Sequence, residues 1–211
     1  MKRKNCFLFL IGFLFFQCCS PPVQFGEPQP AGEKDLEAFP EKLQGQFLNE
    51  ADSSTLTIGK EMMVQHYHSQ LVKSRKNLDS LFQLINDSTL INRDTHEQSR
   101  VTLVGDTIRG YIEVNDTLFH ISEKNVLRKF KGYYFLNIAY MESWEVKMLD
   151  LHKDRVTIGT IPSKEGMDKL KKISEAAVDS ANGNIQLTKD EFKEFIKQGG
   201  FYNTSEFVRV K

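Results

Sequence analysis

One turn signal, repeated at four places, limits the folds open to this chain more than any other feature. Asp52-Ser53, Asp87-Ser88, Asp106-Thr107 and Asp116-Thr117 each stand just ahead of a β-favouring run. Those runs are Leu56 to Ile58, Leu90-Ile91, Ile108 to Val114 and Leu118 to Ile121. Aspartate beside Ser or Thr bonds to nearby backbone and favours a turn, and the β-branched residues after it suit a strand. Gly105 strengthens the turn at Asp106. Within the runs the period is two. Ile108, Ile112 and Val114 share one face, with Arg109, Tyr111 and Glu113 on the other. Trp144, Val146 and Met148 alternate in the same way with Glu145 and Lys147. This pattern predicts an antiparallel meander of about ten strands, closed as a barrel or folded as a sandwich.

After Pro162 the period changes to that of a helix. Met167, Leu170, Ile173 and Ala177 predict a helix over 164–177, with Ser163 as its cap. Thr188 and Glu191 have the spacing of a capping box, opening a second helix over 189–198 that Gly199-Gly200 stop. Residues 207–210 predict a closing strand, and the two helices are expected to cover an open face or end of the sheet. The predicted class is therefore mainly β with two C-terminal α-helices. Lys42 to Asn49 and Lys129 to Asn137 are similar segments that would open equivalent half-sheets.

The chain begins differently. Lys2, Arg3 and Lys4 precede an apolar run from Phe7 to Phe16, followed by Gln17, Cys18, Cys19, Ser20 and two prolines. This is the layout of an export signal, and the run falls short of the roughly 20 apolar residues that cross a bilayer. All three cysteines, Cys6, Cys18 and Cys19, lie in this region. The arrangement resembles the type II signal of bacterial lipoproteins, and the whole chain is similar in style to uncharacterised envelope lipoproteins of the Bacteroidota. The resemblance implies cleavage after residue 18 and acylation of Cys19, with Cys18 as the alternative. It also implies a lipid anchor in the outer membrane, and the lack of an acidic run after Cys19 favours the periplasmic face over the cell surface. The expected domains are a signal peptide (1–18), a Pro/Gly-rich tether (19–35) and one β-rich domain (36–211) whose part 163–211 is helical.

Charge narrows the partners. The chain has 28 basic and 28 acidic residues; losing Lys2, Arg3 and Lys4 leaves 25 against 28, a net of −3. A mildly acidic exported chain has no electrostatic reason, in its net charge, to bind nucleic acid or an anionic bilayer surface, so membrane attachment is expected to come from acyl chains. Lys131 to Ile138 is similar to an RNA-recognition strand but departs from it at Tyr134 and Ile138, and reads better as a core strand with Tyr133 and Phe135 on one face. Asn182-Gly183-Asn184 before Glu191 fails as a calcium loop, because Lys189 would stand where the bidentate acid belongs.

No serine or cysteine stands in a glycine elbow, so no catalytic residue and no cofactor are assigned. His66 and His68, two apart on a strand, face one way and are the candidates for a metal. A third ligand would have to come from His96, Glu97 or His120 through the fold. The expected role is non-catalytic binding or scaffolding of an envelope protein. The alternatives are a lipocalin-like carrier of a small apolar ligand, and then a hydrolase or metal-binding protein.

Overall fold

The computed structural model describes residues 23–174 and 184–210. Residues 1–22, Cys18 and Cys19 among them, and Ala177, Asn182 and Gly183 lie outside them. The strands are β1 (Asp35–Leu36), β2 (Gly45–Leu48), β3 (Thr55–Ile58), β4 (Met62–Ser74), β5 (Phe82–Asn86), β6 (Thr89–Asn92), β7 (Gln98–Val104), β8 (Thr107–His120), β9 (Asn125–Phe130), β10 (Tyr133–Tyr140), β11 (Ser143–His152), β12 (Arg155–Thr160) and β13 (Tyr202–Arg209). Helices α1 (Ser163–Ile173) and α2 (Lys189–Lys197) separate the last two strands.

All thirteen strands join one antiparallel sheet in the order β1-β9-β10-β11-β12-β13-β2-β3-β4-β8-β7-β6-β5. The sheet has two free edges, so it is not a closed barrel. It curls nonetheless: Leu127 of β9 and Met63 and Phe119 of β4 and β8 belong to one buried cluster, with Phe47, Leu56, Leu136, Leu149 and Phe207 from the strands between. Phe39 and Leu43, just before β2, fill the concave side.

The convex side of β10 and β11 carries the helices. Phe135 and Val146 pack there against Leu170, Phe192, Phe195 and Phe201. Phe135 and Phe192 meet edge to face at 5.1 Å between centroids. As the period of two predicts, Tyr133, Trp144 and Met148 join this side. Tyr134 and Leu136 point the other way, so β10 is buried on both faces.

Four expectations need correction. Residues 23–35 are not a free tether, and the packed fold begins at Val23 rather than near Leu36. Phe25 is fully buried, and its backbone exchanges two hydrogen bonds with Trp144. The Asn137 side chain accepts from the Gln29 backbone at 2.6 Å and donates to the Gln29 carbonyl at 2.9 Å. Arg128 donates to the carbonyl of Pro30 and pairs with Asp35. Proline and glycine keep this segment out of regular structure, and distant side chains supply the hydrogen bonds it lacks. We call it the strap.

Asp116-Thr117 is not a turn; β8 runs straight through it, and a register shift at Met63/Val64 takes up the irregularity. The two similar segments are not equivalent, since Lys42-Leu43 lie in a 3₁₀ turn whereas Lys131-Gly132 form the β9–β10 turn. Helix α1 starts at Ser163 itself, with Pro162 in the capping position. The capping box at α2 is as expected, with Thr188 and Glu191 each bonded to the other's backbone.

Strands β4 and β8 outgrow the body. Thirteen residues of β4 would span about 43 Å at ~3.3 Å each. Their far ends join β5, β6 and β7 around a smaller core of Leu71, Leu90, Val101 and Ile108. This second unit is the arm. Body and arm meet in a neck. β3 reaches along β4 as far as His66, and β7 reaches β8 only from Gly110, the partner of Leu71. Residues 67–70 and 111–114 therefore pair only with each other.

Candidate functional site

The histidines singled out by sequence stand at the body end of the neck, His68 within it and His66 at its border, where β3 still pairs. Paired residues of an antiparallel ladder share a face, and β4 faces β8 with His66 opposite Asn115 and His68 opposite Glu113. One face therefore presents His66, His68, Asn115 and Glu113, bordered by Thr55 of β3. His66 Nδ1 is bonded to the Asn115 side-chain oxygen. His68 Nε2 lies 3.5 Å from a Glu113 carboxylate oxygen, with both side chains more than half exposed. These residues line a cleft of about 210 Å³ together with Ser53 and Thr55.

The chemistry available here is limited. Each histidine faces a polar partner across the ribbon, and water reaches both. Among the described residues no three of His, Cys, Asp and Glu gather closely enough to hold a metal ion. His96 and Glu97 lie beside β7 in the arm, beyond the neck. His120 lies at the body end of β8, opposite Met62. Neither becomes a third ligand to His66 and His68. Sequence reading missed Glu113 and Asn115 as their partners. Their own spacing of two was visible, but the register that sets them opposite the histidines was not.

The opposite face of the neck is polar too. Gln65 donates to the Ser54 hydroxyl at 3.0 Å, and Asp52, Gln65, Tyr67 and Asp116 border a second cleft. Elsewhere, a larger opening lies between the strap and α2, lined by Glu27, Gln186 and Glu191. Hydrogen bonds from the Thr188 backbone and hydroxyl, and from Ser174, hold the Glu191 carboxyl below its ordinary value. That carboxylate is engaged in capping the helix.

The arm offers a different kind of site. β5 ends the strand order, pairing with β6 on one side only. Ile85 on this strand and Leu81 just before it are exposed, Ile85 at 54%. Among the described residues no helix is long and apolar enough to cross a membrane. The chain matches no family model, no curated protein and no solved structure.

Proposed function

We propose that this chain is a lipid-anchored protein of the bacterial cell envelope that binds a protein partner without catalysis. Cys19 carries the lipid, with Cys18 as the alternative acceptor, and the chain sits on the periplasmic face of the outer membrane. The anchoring half of the reading rests on the charged head, the short apolar run and the cysteine that follows it. The binding half rests on the open edge of β5. An unpaired edge strand presents a row of backbone donors and acceptors to an incoming strand, and natural proteins normally blunt such edges. Here a length of five residues and a register shift between Leu84 and Asn86 blunt the edge only in part, since Ile85 on the strand and Leu81 just before it are exposed. The filled concave face of the body favours a protein partner over a small apolar cargo, since Phe39, Leu43, Phe47 and Tyr134 occupy the space a carrier would keep for its ligand.

Two measurements test the two halves. Cys19→Ser should abolish incorporation of labelled fatty acid and leave the precursor uncleaved; unchanged labelling would move the anchor to Cys18, and no labelling of the parent would remove it. A photo-crosslinking residue at Ile85 should give one discrete adduct in intact cells, and the same residue at Glu123 in the body should give none. Absence of any adduct from Ile85 would sink the binding reading.

A further inference from the structure

We infer that the end of the body where the strap enters rests on an anionic lipid bilayer, with the β10–β11 hairpin tip in the interface and α1 over the headgroups. The inference builds on the lipid anchor proposed above and names the surface that the anchor brings into contact.

The start of the strap is fixed in the fold. Val23 is buried, and its Cγ2 methyl packs beside Gly166 of α1. The Gln24 side chain accepts from the Ser143 hydroxyl at 2.9 Å, and the Gln24 backbone carbonyl accepts from the Ile185 backbone N–H. Val23 and Gln24 therefore sit between α1 and the β10–β11 turn. Cys19 lies four residues before Val23. Four fully extended residues reach at most about 14 Å. A bilayer holding acyl chains on Cys19 would therefore lie within about that distance of Val23, and the surface around the start of the strap is the part of the fold brought nearest the headgroups.

The surroundings suit that place. Tyr140 and Met141 stand together at the hairpin tip, 54% and 88% exposed, and Met141 is the most exposed large apolar residue described. A tyrosine beside a methionine suits the boundary between headgroup and acyl chain. A cleft joins Met141 to Gln24, so the tip adjoins the strap directly. On the other flank α1 carries Lys164, Lys169, Lys171 and Lys172 against Glu165 and Asp168. Lys164, Lys171 and Lys172 are exposed, whereas Lys169 is turned to the Gly199 carbonyl. Cationic residues within a Debye length of anionic headgroups are attracted to them. Glu142 is the one acidic group in the tip, and it sets a limit on how deeply the tip enters.

The chain has a single tryptophan, Trp144, which makes depth measurable. Full-length protein carrying Trp144→Phe with Met141→Trp would be reconstituted into vesicles of phosphatidylethanolamine and phosphatidylglycerol with brominated acyl chains. A second protein would carry Trp144→Phe with Val104→Trp, placing the probe in the arm. Circular dichroism and thermal melts identify folded samples, and the unsubstituted protein, read through Trp144, serves as a third probe close to the tip. Bromine should quench position 141 severalfold more than position 104, with the emission of 141 shifted to the blue. Equal quenching at the two positions, or none at 141, would overturn the inference. Intact mass of the same samples reports acylation separately. An unacylated chain quenched at 141 on concentrated vesicles would remove the anchor and keep the contact face; an acylated chain unquenched at 141 would do the reverse.

Discussion

Body and arm are cut from one sheet and one kind of sequence, yet they are stabilised differently. Both alternate apolar and polar residues along their strands. At the centre of the body, along β10 and β11, the alternation meets a partner on each side: the curl of the sheet covers one face, and α1, α2 and the strap cover the other. Four successive residues of β10, Tyr134 to Asn137, are buried as a result. In the arm only one face gathers a core, with four buried side chains. Its other face leaves Val72, Val104 and Tyr111 in water. What a strand buries is thus decided as much by what lies over it as by its own pattern. Local stability follows local burial, so the arm should open more readily than the body.

The largest way to break this contrast is to remove the aromatic centre of the body. Phe192→Ala takes away a fully buried ring that meets Phe25, Phe135, Phe195 and Phe201. The expected loss is about 3–5 kcal/mol, read by chemical denaturation. A loss near that of a surface substitution would mean the helices are dispensable to the body.

Leu90→Ala probes the arm alone. The expected cost is about 2–5 kcal/mol, confined to the smaller core. Amide exchange should quicken through β5, β6 and β7 while β10, β11 and β12 stay protected. Equal loss of protection in both regions would show that the neck couples them tightly.

The smallest effect concerns the cap of α2. Thr188→Ala removes the side chain that accepts from the Glu191 backbone and should cost about 1 kcal/mol. Glu191 adds a pH dependence. Its folded pKa is held below the ordinary 4.5, first by the Thr188 backbone hydrogen bond. A lowered carboxylate stabilises the fold above its unfolded pKa, and that contribution is lost as the pH falls through the folded value. Melting temperatures of the parent and Glu191→Gln should therefore differ near neutrality and converge on acidification from the ordinary carboxylate range. A difference that stays constant with pH would remove the charged cap from the account.

Much of the body was legible in the sequence because the signals are local. Period two fixes the faces of β8 and β11, period three to four fixes α1, and four residues suffice for the capping box at Thr188. The strap was not legible for the opposite reason. Its composition says only that it cannot form regular structure; Asn137 and Arg128, about a hundred residues away, decide that it is nevertheless fixed. Asp116-Thr117 shows the same limit from the other side. A good turn signal was overridden because β4 supplies partners on both sides of it. At the neck the histidines were visible, but Glu113 and Asn115 became their neighbours only through register. Tyr140 and Met141 carry no motif, and their exposure next to the strap is a property of the folded chain.

The pairing of β2 with β13 has a bearing on timing. Phe47 and Leu48 lie beside Arg209 and Val208, so about three quarters of the chain separates two neighbouring strands of the body. Synthesis delivers the N-terminal part first, at about 5–20 residues per second. The arm and its ribbon need only residues 62–120, all of them near in sequence, and can form early. The body cannot complete its sheet until the last strand has been made. The strap must likewise wait for Asn137 and Trp144. For that interval Phe25, Phe39 and Phe47 have no core to enter, and a chain stopped short of β13 would expose apolar surface that the finished protein never shows.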